Sequence, residues 1–371
     1  MFISMGARMI VAAICIFLAE GSDGDSLRTS TDAAQSSQYT FLSIGDWGGA
    51  AVSHSIKENV YAVASEMKKT AAAMNAQLVI STGDNFYWCG VENVNDFQFQ
   101  TDFVDPYHEL RLPWYNSLGN HEYAYNVSAQ IEYSHVNEDW ILPDRYYSKR
   151  LTVNEEQNVY LTIITLDTSP CISNYRSPNS SGWDPCSPSH PTCSFDDTDD
   201  DFEGPCDFHE NILTQSCEDQ YEWLEKTLRE VPIDDWLIIV GHHPADEIDV
   251  LDFTSLLQKH NFDLYMNGHT HTLNQYTIDN AGHYITTGAG SLVSTDDQST
   301  PLTSKKAQGV RSIDSFSYHP NSEQDHTYET VWNMKVAGFT SHSFNADHTQ
   351  LTTNFVSYTG EIIHSFIVHK K

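Results

Sequence analysis

Five times along the chain a short apolar run is followed by glycine and then by a side chain that can donate oxygen or nitrogen to a metal. Residues 39–44 lead into Gly45-Asp46 and 77–80 into Gly83-Asp84. Residues 113–118 lead into Gly119-Asn120, 236–240 into Gly241-His242 and 262–266 into Gly268-His269. Runs this short suit buried strands. Between them lie helical patterns at about 52–74, 96–109, 219–230 and 251–260. Strands alternating with helices predict an α/β sheet, and such sheets bind ligands beyond the carboxyl ends of their strands. Five loops of this kind can therefore converge on one site.

Together the motifs supply Asp46, Asp84, Tyr87, Asn120, His242, His269 and His271. Two carboxylates, a phenol, an amide oxygen and three imidazoles suit iron, manganese or zinc. If one carboxylate is shared, seven ligands complete two sites that keep open positions for water and substrate. Taken singly, each motif is weak. An aspartate after a strand is usually a turn or a cap, and Gly-Asn reads as a turn. The bland reading must be invoked five times over to explain all five.

The motifs GDWGG, ISTGDNFYWCGV, LPWYNSLGNHE, NVSAQIEYS, IIVGHHP and YMNGHTH resemble the purple acid phosphatases of the metallophosphoesterase superfamily. The likeness is strongest to the small, mammalian-type tartrate-resistant enzymes, and Tyr87 in GDNFY marks the purple group. It covers about residues 41–290 outside one insertion. The resemblance implies a four-layer fold of two packed mixed β-sheets flanked by helices, with a dinuclear site at the strand carboxyl ends. It implies that Asp46, Tyr87 and His271 hold Fe³⁺, that Asn120, His242 and His269 hold Fe²⁺, Zn²⁺ or Mn²⁺, and that Asp84 bridges them. His121 matches the histidine that contacts the substrate phosphate and assists the leaving group. The implied activity is hydrolysis of phosphate monoesters by a metal-bound hydroxide. Phosphodiesters or nucleotides are the alternative substrates, and a non-catalytic scaffold is the alternative role.

Two departures bear on the site. No second histidine follows His242-His243-Pro244 within 244–252, and His243 stands where the family has an aromatic residue. His243 either takes over the missing histidine's contact or has a packing or surface role. Cys89, two residues after Tyr87, replaces a non-cysteine. It either pairs with the insertion, pinning it over the site's rim, or is a buried thiol.

That insertion, 171–217, is rich in Pro, Ser, Asp and Cys and reads as a surface segment stapled by disulfides. Its acidic run at 196–201 lacks EF-hand spacing. The apolar stretch 9–19 is too short to span a bilayer and suits a secretory signal. The expected division is a signal at 1–22, a lead-in at 23–38 and one domain at 39–371. With Cys15 in the signal, six cysteines remain, an even number that suggests disulfides. Asn126 and Asn179 begin glycosylation sequons. The expected location is outside the cell or in an acidic organelle of the secretory path.

The formal net charge is −32. It argues against nucleic acid and against an anionic membrane surface as partners. Small phosphorylated substrates, phosphoproteins and nucleotides among them, need a site made positive locally, and bound metal ions are the means. After Thr272 the chain reads as strands, at 275–278, 283–287, 329–337, 339–345, 351–357 and 362–368. His54, His108, His135, His190, His209 and His260 lack ligand spacing and read as surface or core residues.

Overall fold

The computed structural model describes residues 38–177, 183–186, 193, 206–294 and 326–370. The expected signal, the lead-in before residue 38, Asn179, His190 and the acidic run 196–201 lie outside them.

Two mixed seven-stranded sheets form the framework. The first contains β1 (Thr40–Ile44), β2 (Val79–Ser81), β3 (Trp114–Tyr115) and β4 (Trp140–Ile141). The second contains β5 (Tyr147–Asn154), β6 (Val159–Thr165), β7 (Trp236–Val240), β8 (Leu264–Asn267), β9 (Leu273–Ile278), β10 (Ala281–Thr287) and β11 (Tyr328–Met334). The chain then returns to the first sheet as β12 (Gly338–Phe344), β13 (Gln350–Ser357) and β14 (Ile362–His369). The strand orders are β14-β13-β12-β1-β2-β3-β4 and β11-β9-β10-β8-β7-β6-β5.

In each sheet the strands that precede site residues run parallel: β1 to β2 to β3 in one, β7 to β8 in the other. Their carboxyl ends therefore lie on the same edge. β1 and β7 are buried along their whole length, which is why they read as continuous apolar runs rather than alternating ones. The sheets meet where the Gly45 amide donates to the Thr287 carbonyl, 2.8 Å, and the Thr287 hydroxyl donates to the Ser43 carbonyl, 3.1 Å.

Helices cover the sheets. His54–Met74 is capped by Ser53, whose hydroxyl accepts from the Ile56 amide, and ends at Asn75 with φ 54°. Val60, Val63, Ala64, Met67 and Ala71 form its buried stripe, at the spacing of one helical face. Cys217–Glu230 is capped by Ser216 and begins with Glu218 and Asp219, acids that suit the positive end of the helix. An aromatic cluster locks the loop after β1: the Trp47 ring lies 5.3 Å from that of Trp114 and 5.5 Å from that of Tyr107.

The helix expected at 96–109 is instead a composite. It starts as a π-turn, Phe99–Val104, passes through Asp105–Tyr107 and ends as a 3₁₀ turn, His108–Leu110. The wider first turn turns Asp102 inward, where its carboxylate accepts from the Gly49 and Ala51 amides at 3.1 and 3.0 Å. Burial raises the Asp102 carboxyl to about 6. Three disulfides join Cys89 to Cys193, Cys171 to Cys217 and Cys186 to Cys206. Cys89 is thus bonded to the insertion rather than free.

Candidate metal centre

Asp46 follows β1, Asp84 and Tyr87 follow β2, and Asn120 and His121 follow β3. From the other sheet, His242 follows β7, and His269 and His271 follow β8. Space explains the glycine before Asp46, Asp84, Asn120, His242 and His269. A Cβ on Gly119 would lie 2.2 Å from Asp84 Oδ1, and one on Gly268 would lie 2.2 Å from Asp46 Oδ2. Asp46, Asp84, His269 and His271 have φ of 54°, 50°, 72° and 51°, a region that non-glycine residues seldom occupy. Strain of this kind gathers at functional sites.

All seven candidate donors come together, in two groups. The Tyr87 hydroxyl lies 3.0 Å from Asp46 Oδ1, 3.1 Å from Asp84 Oδ2 and 3.1 Å from His271 Nε2. Asn120 Oδ1 lies 2.9 Å from His242 Nε2 and 3.1 Å from His269 Nδ1. Asp84 Oδ2 also lies 3.2 Å from His242 Nε2, so it belongs to both groups. Backbone amides aim the carboxylates: His121 N–H donates to Asp84 Oδ1 at 3.1 Å, and His269 N–H to Asp46 Oδ2 at 2.9 Å. His242 Nδ1 is 2.9 Å from the Thr82 carbonyl, so this nitrogen carries a proton whether or not the ring is charged, and Nε2 would offer its lone pair to a bound cation.

The charges fit a bound cation. Asp46, Asp84, Tyr87, Asn120 and His242 are buried. Burial pushes the Asp84 carboxyl up, but the charge of His242, with that of His121, outweighs it and holds the group well below the usual range. Burial, then the charges of Asp46 and Asp84, push the Tyr87 phenol well above its ordinary value. A phenolate here therefore needs positive charge among these oxygens. Buried oxygens with hard and borderline donors in two groups match two cations.

His121 sits at the rim of both groups. Its Nδ1 is 2.5 Å from the Trp88 carbonyl, which leaves Nε2 to meet a ligand. Burial lowers its basicity. His243 has its ring nitrogens against protein hydroxyls, Nδ1 at 2.8 Å from Thr168 and Nε2 at 3.1 Å from Tyr175. Of its two expected alternatives, packing matches this geometry. His54, His108 and His135 are exposed, and the ring of His209 bonds to the Tyr175 carbonyl.

Glu122 was not among the expected site residues. Its buried carboxylate accepts from the amides of Asp84, Asn85 and Phe86 at 3.1, 2.8 and 3.1 Å, and from that of Gly119 at 2.5 Å. It clasps the loop after β2 to the loop after β3. The only sequence hint is an acid placed beside His121.

The chain matches the family model described as calcineurin-like phosphoesterase over residues 39–273. It is 32% identical over 273 residues to tartrate-resistant acid phosphatase type 5 of Rattus norvegicus, covering 70% of this chain and 75% of the relative. Among solved structures, "GAP50 the anchor in the inner membrane complex of Plasmodium" superposes with TM-score 0.60 at 20% identity, over 90% of this chain and 89% of that one. A purple acid phosphatase from yellow lupin (Lupinus luteus) seeds superposes with TM-score 0.51 at 15% identity, over 90% of this chain and 54% of that one. These two likenesses are of fold alone.

Proposed function

The chain belongs to the calcineurin-like phosphoesterase family, resembling its purple acid phosphatases, and from that premise we propose that it is an acid phosphatase acting on phosphate monoesters. The observation that carries the reading is Asp84 Oδ2, which faces Tyr87 in one donor group and His242 in the other. Asp46, Tyr87 and His271 would hold Fe³⁺, because phenolate and carboxylate oxygens suit a hard trivalent ion. Asn120, His242 and His269 would hold a divalent ion, Fe²⁺, Zn²⁺ or Mn²⁺, and Asp84 would serve both. When bound, the two ions supply the Lewis acidity and positive charge that a phosphate dianion and its attacking water need.

The reaction is R–O–PO₃²⁻ plus water giving R–OH plus hydrogen phosphate. A bond from the water oxygen to phosphorus forms as the ester P–O bond breaks; the leaving oxygen takes up one proton, and the water gives up one in exchange and leaves its other on hydrogen phosphate. His121, held through Nδ1 by the Trp88 carbonyl, would deliver that proton from Nε2. Asp84 accepts from the His121 amide and Asn120 directly precedes it, so a phosphate near both donor groups lies within its reach.

Disulfides favour an oxidising compartment, which supports secretion or an acidic secretory organelle. No helix among the described residues is long and apolar enough to cross a membrane. A purely anchoring role, like that of the Plasmodium anchor protein, would leave seven converged donors and four strained backbone positions without a use.

The test is metal analysis, a visible spectrum and turnover of p-nitrophenyl phosphate at mildly acid pH, all on one purified sample. Two metals per chain including iron, a broad visible band that Tyr87→Phe abolishes, and turnover are expected. Bis(p-nitrophenyl) phosphate as the better substrate would replace the monoesterase reading with a diesterase one. No metal and no turnover after reconstitution with iron and zinc would sink both.

A further inference from the structure

Among the described residues of the insertion, Trp183 stands beside His121. Trp183 is half-buried, and its ring centroid lies 4.9 Å from that of His121, edge to face at 67°. Phe208 backs it at 5.2 Å and Tyr175 at 5.8 Å. Tyr175 is in turn fixed by its hydroxyl to His243, whose ring lies 4.4 Å from that of His269. On another side of the imidazole stands Trp88, also half-buried, at 5.8 Å. The Cys89–Cys193 bond ties the segment bearing Trp88 to the insertion. His243, in place of the usual aromatic, thus anchors the insertion to the metal centre.

We propose that Trp183 is a specificity-determining residue, its indole bordering the path of the leaving group and favouring phosphate esters of aromatic or other planar alcohols over small alkyl esters. The inference rests on the phosphatase reading and on the role of His121 in it. The Nδ1 of His121 is taken by the Trp88 carbonyl, so the ester oxygen that receives a proton must approach Nε2. The organic group on that oxygen then passes the rings bordering the imidazole. Tyr87, 4.6 Å away, belongs to the donor group, so among the described residues the two indoles are the rings beside the imidazole that would meet the alcohol. Both present flat apolar surface, and aromatic rings gain more from such a face than alkyl groups of few carbons do. An indole backed by Phe208 and Tyr175 has little freedom to lose on binding.

The test uses the metal-loaded protein and two non-hydrolysable probes, phenylphosphonate and methylphosphonate, with dissociation constants from calorimetry. The wild type is expected to favour the phenyl compound by about 3- to 10-fold. Trp183→Leu should bring the ratio close to one, and Trp183→Phe, which keeps a ring against Phe208, should retain part of it. The kcat/KM ratio of p-nitrophenyl phosphate to glycerol phosphate should fall in the same order. Thermal melts establish that each variant is folded, and W183F alone decides the matter if W183L is not. An unchanged ratio in a folded variant would overturn the assignment, as would equal tightening of both probes, which would make Trp183 a cover. A wild type that neither binds methylphosphonate nor hydrolyses either ester would instead overturn the phosphatase reading itself.

Discussion

Four backbone amides from two loops point at the Glu122 carboxylate. Its chemistry cannot be imitated by the isosteric amide. Glutamine offers one accepting oxygen and turns an NH₂ toward groups that are themselves donors. Buried donors left without acceptors cost their full desolvation, so Glu122→Gln should destabilise the protein by about 2–4 kcal/mol. Because the clasp sets the distance between Asp84 and Asn120, metal content should fall as well. Urea unfolding and metal analysis on the same preparation check both. A variant within about 0.5 kcal/mol of the wild type would mean that the loops are held by something else. Five of the seven candidate donors were legible in sequence because each stands behind a glycine that follows an apolar run, whereas Tyr87 and His271 stood out through the motifs that resemble the family. Glu122, Asp102 and Tyr175 were not, because each acts by a bond to a group distant in sequence or on another loop, and such a bond leaves no periodic trace.

Three elements meet at His326, just before β11. Its Nδ1 lies 2.6 Å from Asp279 Oδ2 in the turn between β9 and β10, and its Nε2 lies 3.0 Å from Asp252 Oδ1. Asp252 also caps the helix Phe253–Lys259 by accepting from the Ser255 amide. A ring that meets a carboxylate at each nitrogen needs both protons. Burial works against that charge, but the hydrogen bonds to Asp279 and Asp252 outweigh it and raise the imidazole above 6.5. A raised value means stability that is fully present below 6.5 and lost as pH rises through the folded value. His326→Ala should therefore be less stable than the wild type in acid, with the gap closing in alkali; denaturant midpoints at both pH values measure it. A gap independent of pH would reduce the clamp to packing. The same scale shows what the sequence hid. β4 has two residues, too few for a pattern, and β5 is largely exposed and polar. β6 is an apolar run, but Leu166 and Asp167 follow it rather than glycine and a ligand, so nothing marked it as part of the series. The π-turn at Phe99–Val104 follows from the need to aim Asp102, a tertiary demand that overrides local helical preference.

Over the whole chain 51 acidic residues face 19 basic ones, and the reaction proposed for it consumes a dianion. Two fields then compete. The net charge of −32 repels the substrate at long range, whereas bound cations attract it near the donors. Salt separates the two, because exposed charges are screened beyond about 30 Å at 0.01 M but beyond about 8 Å at 0.15 M, while a buried centre is screened much less. Raising a non-coordinating salt across that range should thus raise kcat/KM for a phosphate monoester, with kcat little changed, since the repulsion acts on encounter and not on the bound state. A neutral active-site probe should show no such rise. The same screening relieves repulsion among the surface carboxylates, so the melting temperature should climb alongside. If kcat/KM falls instead, the local field of the centre extends past the rim and governs approach. The surface charge would then have to be distributed away from the donor groups.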